Sequence, residues 1–412
     1  MLRLLAPIGI LAASALLLWY VFIGPSSQDA PSQPAAASVS RDTEWYPERR
    51  WDDRPPGDLN ISVYVYRDRN HDGSHDTGDL PMGAVAVLLE RPDGDLRMER
   101  SNINGYANFR VSAGNPSIDV GRPDTDYHFE VQPPPGWTVT SGNARQTMRF
   151  ELLTGAPAGM VTRTPPVVIG LAPELAVSGT VVAIADGTEL AAISPDGIRQ
   201  PLTLDAEGSF SLPVGRSTWR IVATDAEETR VLREVEVDDA PVALGTIDAR
   251  APRPAVKPYP ITVDFEGFDR SVIEKLAAGY MGLGWDYLLA VDNQHYRGPG
   301  YANVLAGGAA VGYNSSGYPV TVRSLSSGER FDFVGAYFGA AWPQAEGEML
   351  TLEAWRDGER VYADRLPLSH LGPVWFHADY RDIDRLHLAT DHYWQFTTDD
   401  MRFRLASPPR TD

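Results

Sequence analysis

Residues 61–66, Ile-Ser-Val-Tyr-Val-Tyr, alternate with period two and run through Arg67 into Asp68-Arg-Asn-His-Asp-Gly-Ser-His-Asp-Thr-Gly-Asp79. That second stretch has the oxygen spacing of a twelve-residue calcium loop. Asp68, Asn70 and Asp72 stand at positions one, three and five, Gly73 at the sharp turn of position six, the Ser74 carbonyl at seven, Asp76 at nine and Asp79 at twelve. An EF-hand would need an amphipathic helix on each side. Here a period-two run precedes the loop and a β-prone run, Ala84–Leu89, follows it, so the loop is expected to join strands. Asp79 is shorter than the Glu usual at position twelve, which predicts weaker affinity or a water in the shell. A solvated acidic loop would account for the charge but not for Gly73.

Beyond the loop come Leu80-Pro-Met-Gly-Ala-Val-Ala-Val-Leu88 and then Asn104-Gly-Tyr-Ala-Asn-Phe109, which lead into further strands. In this order residues 58–150 resemble the SdrD B-like calcium-binding domains of serine-aspartate-repeat adhesins, a branch of the Cna-B-like β-sandwiches. The resemblance implies a domain over about 58–165 that bound calcium stiffens by itself. Many Cna-B relatives also carry a Lys–Asn isopeptide crosslink. The only lysines of this chain are Lys257 and Lys275, so no such bond can form in that segment.

The apolar run Leu4–Ile23 is long enough, at 1.5 Å per residue, to cross a hydrocarbon core of about 30 Å. A cleaved secretory signal is the alternative, but its apolar region is shorter, and Trp19-Tyr20 is an interface pair, so the reading is an uncleaved single-pass anchor. Arg3 puts the N-terminus in the cytoplasm and the rest outside, in the periplasm or beyond, on an inner membrane. Residues 24–57, punctuated by Pro25, Pro31, Pro34, Pro47, Pro55 and Pro56, read as an extended tether. With no cysteine, neither disulfides nor a lipidated cysteine are available. A net charge of −19 excludes nucleic acid as a partner, because that surface demands a basic footprint, and suits divalent cations.

A second β-rich segment spans 173–249, with Ala176–Val182, Leu202–Leu212, Ser217–Ala223 and Val231–Val237 as runs. Its Gly-Thr-Val start and Asp205-Ala-Glu-Gly-Ser-Phe-Ser-Leu212 resemble carboxypeptidase-regulatory-like and related Ig-like sandwiches. A Pro-rich linker, 250–258, leads to a third segment in which Asp264-Phe-Glu-Gly267, Gly279–Trp285, Phe331–Trp342 and Phe396-Thr-Thr-Asp-Asp-Met-Arg-Phe403 follow in order. Residues 259–405 resemble the galactose-binding-like jelly rolls of bacterial exported proteins associated with PEP-CTERM tails, departing at Met401, where that family has an aromatic. The N-terminal anchor is expected to take the place of such a tail. The fold class expected is thus all-β and multidomain: two small Ig-like or transthyretin-like sandwiches and a jelly roll, behind one transmembrane helix.

Jelly rolls of this kind clamp their first and last strands with calcium, which implies Glu266 and Asp400 as a second pair of metal ligands. Acids on alternating strand positions could equally face water. Sugar binding in such folds uses exposed aromatic faces, and Trp285, Tyr287, Tyr296, Tyr301 and Trp342 are the candidates, although most aromatics of a sandwich are core. The sequence contains no nucleophile elbow, His-Glu-x-x-His helix or cysteine nucleophile, and Asp399 and Asp400, adjacent on a strand, would point to opposite faces. The expected function is non-enzymatic. A membrane-anchored protein would present a jelly roll on calcium-stiffened spacers, to bind polysaccharide or an envelope protein. The alternatives are a surface-glycan-active enzyme and a structural subunit of an envelope complex.

Overall fold

The computed structural model describes residues 59–91, 94–111, 125–152, 160–162, 166–226, 228–250, 253–269, 272–296, 298–326 and 328–409. The expected anchor at 4–23 and the tether at 24–57 lie outside the described residues. Among the described residues no helix is long and apolar enough to cross a membrane.

Two sheets make the first sandwich. Leu59–Arg67 is central in one, bonded antiparallel to Leu80–Pro81 and Tyr106–Val111 and parallel to Val167–Pro173, which in turn pairs with Trp137–Val139. The other orders Leu96–Arg100, Ala86–Glu90, Thr125–Gln132, Arg145–Leu152 and Met160–Thr162. Alternation dictates the core: Ile61, Val63 and Val65 point inward against Val87, Leu89, Phe129 and Ile169. Val167–Pro173 is bonded to the first strand and so belongs to this sandwich.

The second sandwich packs Ser209–Pro213, Ala176–Val182 and Val242–Asp248 against Arg199–Pro201, Glu189–Ile193, Ser217–Thr224 and Thr229–Val237, around Trp219, Ile221, Leu244 and Ile247. In the third, one sheet centres on Phe331–Ala340 and Phe396–Leu405, and the other orders Leu283–Asp286, Val320–Ser324, Arg385–Thr390, Met349–Arg356 and Glu359–Pro367. Its core gathers Phe265, Trp285, Phe331, Phe333, Phe338 and Phe403.

The sandwiches are not a string of independent spacers. All described residues belong to one compact unit. Val242–Asp248 of the second sandwich pairs in parallel with Val374–Phe376 of the third, Val242 opposite Trp375 and Ala243 opposite Phe376, so one sheet runs through both. Trp375 itself completes the core of the second sandwich, with Tyr337 against it. This explains why Phe331–Ala340 is largely buried on both faces, its residues apolar but for the buried Asp332. Leu371 packs on the core of the first sandwich, and a side chain at Gly372 would strike the Trp137 ring.

A buried arginine ties all three together. Arg67, at the end of the first strand, donates from Nη1 to the Asn303 carbonyl at 2.8 Å and from Nη2 to the Leu305 carbonyl at 2.7 Å, both in the third sandwich. Its Nη2 also lies 3.5 Å from Asp239 of the second. Beside it the Asn303 amide accepts from Gly83 N and donates to the Gly83 and His370 carbonyls. A guanidinium fits this junction because its planar fork meets several acceptors at once.

Candidate functional site

The acidic loop lies at that junction. Asp68 is fully buried and follows Arg67 directly; Arg69 pairs with Asp239, and Arg216 of the second sandwich donates to the Arg69 carbonyl at 3.1 Å. The loop closes on itself through its carboxylates: Gly73 N donates to Asp68 Oδ2 at 2.9 Å, Ser74 N to Asp72 Oδ1 at 2.7 Å, Asp76 N to Asp79 Oδ2 at 3.1 Å and Arg69 N to Asp79 Oδ1 at 3.0 Å. The Asn70 amide reaches both Asp72 and Asp76, at 3.0 and 3.1 Å. Position six must be glycine here, since Gly73 has φ +80° and an added Cβ would come within 2.6 Å of the Thr140 carbonyl.

Two observations bear on a cation. Asp68 Oδ1 is buried with no hydrogen-bond partner, and a buried carboxylate oxygen left unpaired is costly. Burial, with the field of Asp68, Asp79, Asp72 and Asp76, pushes the Tyr66 hydroxyl up to about 12. Yet among the described residues no three His, Cys, Asp or Glu side chains are drawn together as a bound metal would hold them. The donor set fits a hard cation by type and sequence position, and apart from Asp68 Oδ1 the loop carboxylates named above accept from N–H donors. His75 packs edge-on against Tyr64 and Tyr66, while His71 turns inward, its pKa lowered by burial and by Arg216.

Glu266 and Asp400 are engaged separately. Glu266 Oε1 accepts from Ala309 N at 2.7 Å and Ala310 N at 2.8 Å, and Asp400 lies 3.4 Å from Arg402. The buried acid of the last strand is Asp399, which accepts from Ala306 N at 2.8 Å and Asp400 N at 2.8 Å. Two acids therefore hold the loop around Gly307 and Gly308 by its backbone, and Asp399 and Asp400 do face different ways. Burial first, opposed by the Ala306 N–H, raises the Asp399 pKa to about 8.

The five aromatic candidates divide. Trp285 is core: it is buried edge-on to Phe403, its Nε1 bonded to the Tyr280 carbonyl at 2.9 Å. Tyr296, Tyr301 and Trp342 form an internal cluster with Tyr313, in which Tyr296 stacks on Tyr301 and both Tyr301 and Trp342 donate to Gln395. That cluster packs against Leu80 and supports the junction. Only Tyr287 stands out in solvent.

Tyr287 is joined by three further exposed aromatics that periodicity did not single out, and its ring meets that of Tyr318. Tyr287, Tyr318, Tyr393 and Trp394 are 48, 53, 69 and 37 % exposed. The Tyr287 and Tyr318 rings lie 5.2 Å apart, with Lys275 Nζ 5.7 Å from the Tyr287 ring. Asn314, fully buried, braces the two loops: its Nδ2 donates to the Tyr318 and Trp394 carbonyls at 3.1 and 3.4 Å and its Oδ1 accepts from Phe396 N at 2.7 Å. Gly317 presses on the Tyr393 backbone so closely that no Cβ would fit. Tyr287, Ser316 and Tyr393 all adopt left-handed φ, of 61, 50 and 59°. For a bulky residue this costs of order 1–3 kcal/mol and persists only where surrounding contacts impose it, which is typical of functional sites. The readable signal was composition: two aromatics in the polar loop Asp391-His-Tyr-Trp-Gln395 and one in the turn Asn314-Ser-Ser-Gly-Tyr318.

A cleft of about 490 Å³ lies elsewhere, between Ala277–Leu283 and the chain near Pro409. Its one arginine, Arg330, is committed to Asp357 and Asp382.

Fold and site thus define an all-β assembly of three fused sandwiches with an exposed aromatic end. No family model matches the chain, and no curated protein matches it. Among solved structures it is similar to the Bacillus anthracis TIE protein, at 13% identity and a TM-score of 0.20, over 46% of this chain and 33% of that one. This chain therefore spans about a third of that protein. Another is the tandem CBM22-1–CBM22-2 domain of Paenibacillus barcinonensis Xyn10C, at 11% identity and a TM-score of 0.21, over 85% of this chain and 78% of that one. The shaft pilin SpaA from Lactobacillus rhamnosus GG matches at 13% identity and a TM-score of 0.18, over 48% of this chain and 99% of that one. Likeness at this level carries no functional weight.

Proposed function

We propose that this protein is a non-enzymatic, extracytoplasmic glycan-binding protein, held at the membrane through residues 4–23, whose ligand lies on Tyr287, Tyr318, Tyr393 and Trp394. The observation that carries the reading is this set of exposed rings. Tyr287 and Tyr318 are paired rings, Tyr318 and Trp394 stand on loops braced by the buried Asn314, and Tyr287 and Tyr393 sit in left-handed backbone; we read the four as one apolar surface of the kind that C–H faces of pyranose rings stack against. Lys275 at its edge offers a donor to sugar hydroxyls.

Calcium belongs to this reading as a structural ion. Asp68, Asn70, Asp72, Asp76, Asp79 and the Ser74 carbonyl would hold it, and the orphaned Asp68 Oδ1 supports that assignment. Bound there, it would supply charge compensation at the junction and no chemistry.

The test is a glycan array with the full chain, repeated with Tyr318→Ala and Trp394→Ala. Both rings are exposed, so the variants should melt as the parent does while losing about tenfold or more in affinity for whatever glycan binds. Unaltered binding in both variants, or any product released from the glycans, would overturn the proposal.

A further inference from the structure

A second cleft, about 370 Å³, opens where the second sandwich meets the jelly roll. Four arginines line it, Arg233, Arg253, Arg356 and Arg381, on a chain whose net charge is −19. Of the acids nearby, Asp364 and Asp382 have partners, one of Asp382's being the cleft arginine Arg356, and Asp248 also lines the cleft. Asp364 accepts from Thr246 N, Thr246 Oγ1 and Tyr380 OH at 2.7, 2.6 and 2.6 Å, and Asp382 serves Lys257, Arg330 and Arg356.

Asp379 is the carboxylate that faces the other three guanidiniums. Arg381 meets it at 2.8 Å, Arg253 contacts it, and Arg233 Nε stands 3.9 Å away, beyond hydrogen-bond reach. Arg233 is over nine-tenths buried, and its Nε has no hydrogen-bond partner. Asp379 is itself held at φ 48°, in left-handed backbone. Burial, and then the neighbouring arginines, lower the pKa of Arg233 and bring that of Arg253 down to about 10, as expected for cations crowded out of water. Arginine stays protonated in proteins, so the crowding is relieved by an anion and not by losing a proton.

The rest of the lining says which anion. Tyr362, half-buried and stacked on Tyr380 at 4.6 Å, forms part of the wall, so a guanidinium fork and an aromatic ring share one interdomain cleft. We propose that this cleft binds a carboxylate-bearing sugar, its carboxylate received by Arg253 and Arg233 and its ring carbons by Tyr362. A planar carboxylate matches the guanidinium fork in a way that a neutral sugar cannot. The cleft shares no residue with the four exposed rings, so the two sites stand or fall separately.

Titration calorimetry of the full chain with oligogalacturonate tests it. The uronate should bind, its methyl ester should bind at least tenfold more weakly, and added salt should weaken the uronate alone. Arg253, about one-third exposed, is the least structural of the three arginines. Arg253→Gln should abolish binding and Arg253→Lys, which keeps the charge but loses the fork, should weaken it about tenfold; Trp394→Ala should leave it unchanged. No binding, equal affinity for the ester, or full affinity in a folded Arg253→Lys and Arg253→Gln pair would each overturn the assignment.

Discussion

Replacing Arg67 by methionine keeps most of the stem volume of the side chain while removing its charge and its donors. The buried Asn303 and Leu305 carbonyls then lose their partners, at about 1–3 kcal/mol each, and Asp239 keeps only Arg69. The total, about 3–5 kcal/mol, is what breaking a buried ionic contact costs in general. Its distribution is the informative part. If roughly 350 residues unfold as one unit, a loss of about 4 kcal/mol lowers the melting midpoint by about 5 °C, in a single calorimetric transition. The jelly roll would move with the first sandwich, and amide hydrogen exchange at Trp285, buried in the jelly-roll core, reports that movement. Separate transitions, with the Trp285 signal unmoved in Arg67→Met, would refute the fused architecture and restore independent domains.

Calcium at about 100 times its dissociation constant should add about 2.7 kcal/mol, raising the same single midpoint by about 4 °C over chelator, and Asp68→Asn should abolish the difference; equal midpoints with calcium and chelator would remove the ion from the account. His377 lies under Arg233, Arg253, Arg381 and Arg402, and burial first, then those charges, lower its pKa from 6.5 to about 4. Between those values the unfolded chain holds one proton more than the folded one, so this contribution is complete above pH 6.5 and is lost as pH falls toward 4. Urea unfolding of the parent and of His377→Gln across that window should differ by about 2–3 kcal/mol in the pH-dependent part, and parallel curves would contradict the burial of this ring.

Much of the architecture was legible along the chain. Period-two runs such as Ile61–Tyr66, cut by Gly, Pro and Asp turns, dictate strands and exclude an EF-hand, and Gly73 at position six requires the tight left-handed turn that the loop adopts. Local spacing also brings the acids of the loop together, because residues within twelve positions cannot be far apart. Periodicity states which face of a strand is buried but not what covers the other face. Arg67 is buried because two other sandwiches close over the strand end, a fact of contacts more than 170 residues apart in sequence. The same limit governed the aromatics. Trp285 and Tyr287 sit two positions apart, yet one fills the core and the other faces water, since the left-handed backbone at Tyr287 breaks the alternation. The loops of Tyr318 and Trp394 come together because Asn314 ties them across about 80 residues of chain, and the arginines of the cleft are gathered from the second sandwich, the linker and the jelly roll. Strand pattern is a local property of side-chain sequence; exposure and uncompensated charge are properties of whatever the rest of the chain leaves uncovered.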